Sequence, residues 1–456
     1  MISQKKHFTL TPSISPSIQR FLYTLLYYCL TPLFFLRLLI KHQKSNAYKE
    51  QRQSLRLAER LGIFAKPEFA NDQAPVWFHT VSVGEFIAAL PLIRQVMQDY
   101  PQFPLVITCT TTTGSAQIIK TFSAEIKQGK IAHVYLPYDL PGSMRRFLKN
   151  TGPRLGIIME TEIWPNLLHA AQQKAIPMWL LNARMSARSV KGYKRIKVLT
   201  RTALQQFTGI AAQDILDAER LKKLGAKEGS LSITGSIKFD IQINPDDIEA
   251  GKTLRKQLHW QDKQVLIAAS THKGEDEILL SVYQQLKQHH PQLVMIVVPR
   301  HPERFQSVYQ LLNVDNNRVI KRSAMVDIAI NDDMPADMLL GDSMGEMMRY
   351  FACADLVFMG GTLVPTGGHN ILEPAAMGLP IVYGPHMFNF NAISELFLYY
   401  QAVLQAADKE SLEQALNTLL SDKTKAKQMA GQAKHLIEQN AGAMDKMSVL
   451  LKPYLL

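Results

Sequence analysis

Past residue 60 the chain alternates short apolar runs with longer stretches whose apolar residues recur every three or four positions. VWFHTV (76–81), PLVITCT (104–110), HVYLPY (133–138), LGIIME (155–160), PMWLLNA (177–183) and TGIAAQ (208–213) have the length of strands. Stretches such as 85–100 and 142–149 between them read as helices. A second series follows Gly235: VLIAAS (265–270), LVMIVVPR (293–300), ADLVFMGG (354–361) and LPIVYG (379–384). Strands alternating with helices predict parallel sheets joined by right-handed crossovers. The polar segment IKFDIQINPDDIEA (237–250) separates the two series and reads as a hinge. The pattern therefore predicts an α/β protein of two Rossmann-like domains facing a cleft. In such sheets ligands bind at the carboxyl ends of the strands. The helical stretch 423–440 is a candidate to pack back across the hinge.

Near the N-terminus the pattern changes. Residues 21–36 (FLYTLLYYCLTPLFFL) are almost wholly apolar, a run of 16 with Pro32 inside and Arg37 closing it. A helix crossing a bilayer needs about 20 residues. A short tilted span, a helix lying in the interface and a buried core helix all remain open. No small-residue cleavage site follows, which argues against a removed signal peptide. From Arg37 to Arg60 there are seven Lys/Arg against two Glu, which favours the cytoplasmic side. The domain reading is an N-terminal membrane anchor region (1–45), an N-terminal domain (46–236) and a C-terminal domain (237–456).

A net charge of +12 over 456 residues points to an anionic partner: nucleic acid, a membrane surface or a phosphorylated substrate. Cys29, Cys109 and Cys353 lie far apart, which argues against a disulfide framework or a zinc site and suits a reducing compartment. There is no GxxxxGK[ST] loop, and no Asp-x-Asp at a strand end to hold a metal on a diphosphate. Asp246-Asp247 and Asp332-Asp333 fall in helix-start or loop contexts. The reading is chemistry without a metal or cofactor.

If ligands sit at strand ends, the residues just beyond each strand are the candidates. After the first run come Ser82-Val83-Gly84-Glu85, opening a helix. Ser82 can cap it, and a first-turn Glu is also favoured by the helix dipole alone. Glu160, Thr161 and Glu162 follow another strand before Pro165 sets the next helix, so they are harder to explain as caps. LNARMSARS (181–189) leads into Lys191, Lys194, Arg195, Lys197 and Arg201 with no acidic residue between. A solvated face and an anionic lipid headgroup explain that run equally well. In the second half Arg300 follows a strand, and Gly341 to Glu346 leads into a helix. Gly360-Gly361-Thr362 and Gly367-Gly368-His369-Asn370 precede Ile371-Leu372-Glu373-Pro374. An Asn370/Glu373 capping box is one reading; helix-terminal amides on a phosphate, with Glu373 on a ribose, is the other.

Taken together, several motifs resemble one family. They are Ser82 to Glu85, Tyr135-Leu136-Pro137-Tyr138-Asp139, Glu160 to Asn166, and Asn182 to Ser186 in the first half. Thr234 to Asp240, Val298 to Phe305 and Gly367 to Pro374 follow in the second. The sequence resembles the 3-deoxy-D-manno-octulosonic acid (Kdo) transferases of lipopolysaccharide synthesis, from the N-terminal anchor nearly to the C-terminus. The resemblance implies a GT-B fold and inverting transfer of Kdo from CMP-Kdo to the lipid A precursor lipid IVA. It also implies action at the cytoplasmic face of the inner membrane. Glu85 matches the family's proton acceptor, and Glu160 and Lys238 match positions credited with stabilising the transition state. Pro299, Arg300, Met344, Gly345, Glu346, Asn370, Ile371, Leu372 and Glu373 match its CMP-contacting segments. Ile371 stands where a proline is expected, a change that a backbone contact tolerates.

Two other classes are weighed against this. A nucleotide-sugar epimerase of the same fold would have no use for an apolar N-terminal helix and a basic face. A membrane-tethered nucleic-acid binder would interleave basic residues with aromatics, whereas 188–201 holds only Tyr193.

Overall fold

Every strand described pairs in parallel, and each core strand is buried on both faces. A computed structural model describes residues 15–44, 56–313, 317–325 and 336–456. The polar start up to residue 14, the anchor–domain boundary at 45–46 and Asp332-Asp333 lie outside the described residues. The chain divides into two compact units. One comprises residues up to Ile237 together with Gly442–Leu456, and the other Lys238–Ala441.

The first unit is built on β1 (Val76–His79), β2 (Leu105–Cys109), β3 (Ile131–Tyr135), β4 (Leu155–Met159), β5 (Met178–Ala183), β6 (Gly209–Ala212) and β7 (Leu231–Ile233). Their order is β3-β2-β1-β4-β5-β6-β7, a doubly wound sheet. Alternate side chains feed two cores: Val76 and Phe78 pack on one face, Trp77 on the other. The second unit holds β8 (Gln264–Thr271), β9 (Leu293–Pro299), β10 (Val319–Lys321), β11 (Met338–Leu340), β12 (Leu356–Met359), β13 (Ile381–Tyr383) and β14 (Leu404–Gln405). Their order is β10-β11-β9-β8-β12-β13-β14. Two all-parallel seven-stranded sheets thus form, ten of their strands on the predicted apolar runs and β7, β10, β11 and β14 outside them.

The helix Lys423–Asn440 packs within the second unit, burying Met429, Ala433 and Leu436. It is the following helix, Ala443–Leu451, that returns to the first unit, placing Met447 and Leu451 in its core. The sequence reading ran the second domain through to residue 456; packing returns the end of the chain to the first.

The N-terminal helix spans Pro16–Lys44, and 25 of its residues (Pro16–Ile40) are long and apolar enough to cross a membrane. The 16-residue run therefore understated it: helix formation extends through the flanking mixed residues. Its inward face is the more polar one. Tyr23 Oη donates to Asp139 Oδ2 at 3.0 Å, Thr24 pairs with Asn166, and Gln19 Oε1 accepts from Leu199 N at 3.0 Å. Phe34 and Phe35 both pack on Tyr138. Its outward face carries exposed Phe21, Leu22, Leu25, Leu26, Leu33, Leu36, Leu39 and Ile40. This inverts the usual amphipathic arrangement.

Candidate active site

The strand order switches between β1 and β4 in the first sheet and, at the centre of the second, between β8 and β12, with β10 and β11 out of sequence at its edge. A crevice opens outside the carboxyl ends of the two strands at such a switch point.

At the first switch point Glu85 follows β1 and Glu160 follows β4. Ser82 caps the helix Val83–Asp99 by accepting from Glu85 N at 3.4 Å, and Glu85 Oε2 accepts from Val81 N at 2.7 Å. The capping explanation for Glu85 thus has a physical basis, and the same bonds hold its carboxylate at the strand end. Glu160 adopts φ 60°, a left-handed conformation costly for a residue with a Cβ. Its N–H donates to Leu181 O at 2.9 Å. Asn182, buried in β5, has φ 52° where β5 slips its register on β6, and its Oδ1 accepts from Ile237 N at 3.2 Å. Burial, then the charges of Glu85 and Glu160, push the Glu162 carboxyl up to about 7. The Glu162 carboxyl therefore senses both Glu85 and Glu160 at this edge.

Asp139, from the Tyr135-to-Asp139 motif, has a different role. It is fully buried and accepts from Asn166 N at 3.0 Å, Leu167 N at 2.8 Å and the Tyr23 hydroxyl. Burial outweighs those bonds and pushes it up to about 6. It ties the N-terminal helix to the first unit.

The predicted donor residues fall along the carboxyl edge of the second sheet. Pro299 ends β9 with Arg300 exposed behind it. Met344, Gly345 and Glu346 lie between β11 and the helix Met347–Cys353. Burial would raise the Glu346 carboxyl, but Ser343, Arg322 (3.0 Å) and Arg349 (2.9 Å) together hold it below its usual range. Asn370, Ile371, Leu372 and Glu373 follow β12. The helix there begins at Leu372 and has five residues, shorter than the sequence suggests. Asn370 Oδ1 accepts from Leu372 N at 3.1 Å, and its Nδ2 donates to Glu373 Oε1 at 3.2 Å. Burial raises the Glu373 carboxyl, with that bond in partial opposition. Lys238 lies in the turn Ile237–Phe239 where the second unit starts.

Strand-end reasoning passed over the loop after β8. Glu275 there is fully buried, and its carboxylate accepts from the backbone N–H of His272 (2.8 Å), Gly361 (2.7 Å), Thr362 (2.9 Å) and Leu363 (3.0 Å). It stitches the loops on either side of the second switch point. The signal was within reach, since Thr271-His272-Lys273-Gly274-Glu275 directly follows an apolar run. Exposed along helices Ala187–Lys194 and Lys197–Leu204 are Arg188, Lys191, Lys194, Arg195, Lys197 and Arg201. The second of these helices packs against the N-terminal helix.

Two doubly wound units with polar groups gathered at their switch-point edges are the architecture of the GT-B glycosyltransferases. Residues 55–241 match the family described as 3-deoxy-D-manno-octulosonic-acid transferase (kdotransferase). The chain is 40% identical over 440 residues to the 3-deoxy-D-manno-octulosonic acid transferase of Haemophilus influenzae, covering 96% of this chain and 99% of that protein. It is 35% identical over 390 residues to the Bordetella pertussis transferase of the same name, covering 84% and 88%. A crystal structure of UDP-N-acetylglucosamine 2-epimerase superposes with a TM-score of 0.51 at 12% identity, covering 84% of this chain and 97% of that one. That likeness is one of fold alone. The chain belongs to the Kdo transferase family, and its activity is glycosyl transfer in lipopolysaccharide biosynthesis. The epimerase alternative shares the fold without the family.

Proposed function

We propose that the protein transfers Kdo from CMP-Kdo to lipid IVA with inversion, at the cytoplasmic face of the inner membrane. Glu85 takes the proton from the acceptor hydroxyl as its oxygen attacks the anomeric carbon of Kdo. The bond from that carbon to the phosphate oxygen breaks, and CMP leaves with the electron pair. Lys238 offsets the charge building on the phosphate, and Glu160 faces the oxocarbenium-like sugar. Pro299, Arg300, Met344 to Glu346 and Asn370 to Glu373 hold the CMP. The observation that carries this reading is that Glu85 and Glu160 follow two adjacent strands, β1 and β4, at a switch point. For the membrane, the support is an outward apolar helix face with an exposed basic run on the helices beside it.

Glu85→Gln tests the base. The amide oxygen can still accept from Val81 N, so the cap survives while proton transfer does not. Mass-resolved products from CMP-Kdo and lipid IVA should fall about 10²–10⁴-fold, with CMP affinity and melting temperature close to wild type. Near-wild-type turnover would remove Glu85 from this role and pass it to Glu162.

A further inference from the structure

At the second switch point the loops after β8 and β12 meet through two imidazoles. His272 Nε2 lies 2.9 Å from His369 Nε2, and the rings stack with an interplanar angle of 14°. His301, from the loop after β9, meets His272 edge-on with centroids 5.3 Å apart. For two neutral rings this contact requires opposite tautomers, one Nε2–H donating to the other's lone pair.

The pair is built into the fold. Glu275 holds the backbone of His272 and of Gly361 to Leu363 through its four N–H bonds. Arg304 Nη1 donates to Thr271 O at 2.9 Å, and the same guanidinium pairs with buried Asp276, bracing the loop after β9 against that after β8. Gly361 has φ 68°, and a Cβ there would lie 3.0 Å from the His369 ring.

The charges around the rings are nearly all of one sign. Burial, then His272, Arg300 and His301, push His369 down to about 4. Burial lowers His272 as well; Glu275 opposes, while His301, Arg304 and Arg300 add to the lowering. Among the described residues Glu275 is an acidic group acting on His272, and its oxygens are taken by backbone amides. A metal does not explain the cluster: no group of three or more His, Cys, Asp or Glu side chains converges as a ligand set among the described residues. Arg300 acts on both rings, so an anionic oxygen bound at the pair meets a favourable charge.

We infer that the His272–His369 pair binds an anionic oxygen of the glycosyl donor, with Glu275 as the residue that positions it. The inference rests on the second unit being the donor unit. It adds two imidazoles to the CMP-contacting positions: His369 lies inside the Gly367-to-Pro374 motif, and His272 lies in none of the motifs. With both rings neutral and their Nε2 atoms bonded to each other, the accepting ring carries its proton on Nδ1, and that N–H is the donor the pair offers an anionic oxygen. The oxyanion has two sources in this donor, the nucleotide phosphate and the carboxylate of the sugar.

Competition binding of CMP and of cytidine to the full-length protein, wild type and His369→Gln, separates these. If the pair holds the phosphate, CMP affinity falls about ten-fold, the scale of one charge-assisted hydrogen bond, and cytidine affinity stays constant. If it holds the sugar carboxylate, CMP and cytidine are both unaffected and the KM for CMP-Kdo rises by a similar factor. Unchanged CMP affinity with unchanged KM overturns the inference, as does equal weakening of CMP and cytidine. Should His369→Gln lower the melting temperature, His272→Gln on the more exposed ring gives the same comparison. Wild-type preference for another nucleotide over CMP would instead fail the donor reading, and the phosphate dependence of that nucleotide's binding would still test the pair.

Discussion

With its carboxyl pushed up to about 7 by burial and by Glu85 and Glu160, Glu162 is a mixture of charged and neutral forms near neutral pH. Each ionisation of Glu162 puts a negative charge beside the proposed base. Glu162→Gln removes that charge at every pH, so an inflection of kcat/KM near pH 7 that follows Glu162 ionisation should be present in wild type and lost in the variant. The sign for stability is opposite to that of an ion-paired carboxylate. The folded state holds the Glu162 proton more tightly than the unfolded chain does, with 4.5 as its reference. Its contribution is thus full below about 4.5 and lost as pH rises through about 7. The melting temperature of wild type relative to Glu162→Gln should fall across that window. A profile and a melting curve that both superpose on wild type would mean the three carboxyl groups do not couple. Glu85 and Glu160 were legible because each follows an apolar strand run; Glu160 lacks a capping explanation, whereas Glu85 has one and was singled out by the family resemblance. The His272–His369 contact was not legible, since sequence does not say that the loops after β8 and β12 become neighbours until the strand order is known.

Elements show the same limit in another form. Long apolar strands announce themselves, whereas β7, β10, β11 and β14 have two or three residues each. So few positions carry no periodicity; these strands form because an adjacent edge offers unpaired backbone. The N-terminal helix was legible in kind but not in placement. Its inward contacts run from Gln19 to Phe35, about 24 Å of helix at 1.5 Å per residue. We expect a helix resting on a folded unit over that length to lie along a bilayer surface instead of crossing it. In inner-membrane vesicles, Ser15→Cys in a Cys29→Ser background should therefore react with an impermeant maleimide from the cytoplasmic side. Replacing Leu22, Leu25, Leu26 and Leu33 by Ser should abolish flotation with anionic vesicles. The melting temperature should barely move, because all four are exposed. Labelling from the periplasmic side, or flotation of the quadruple variant, would restore the spanning alternative.

At the scale of the molecule, the chain leaves the first unit at Ile237 and comes back to it at Gly442. Met447 and Leu451 are fully buried and Leu455 nearly so, in the core that also contains Val76, Phe78 and Phe86. Ser448 Oγ donates to Gln95 Oε1 at 3.1 Å. The first unit is thus completed only by the end of the chain, whereas the second is one continuous segment with its own two cores. Separate cores predict separate unfolding transitions in urea. Trp260 is the second unit's only tryptophan, and Trp77, Trp164 and Trp179 belong to the first, so the Trp260→Phe variant reports the first unit alone and its difference from wild type reports the second. Met447→Ala should destabilise the first-unit transition by about 2–5 kcal/mol, as expected for truncating a buried Met. CMP at a hundred times its dissociation constant should stabilise the second-unit transition by about 2.7 kcal/mol. Each perturbation should leave the other transition in place. If both move one common transition, the units unfold together, and donor binding in the second would then stabilise the carboxylate edge of the first.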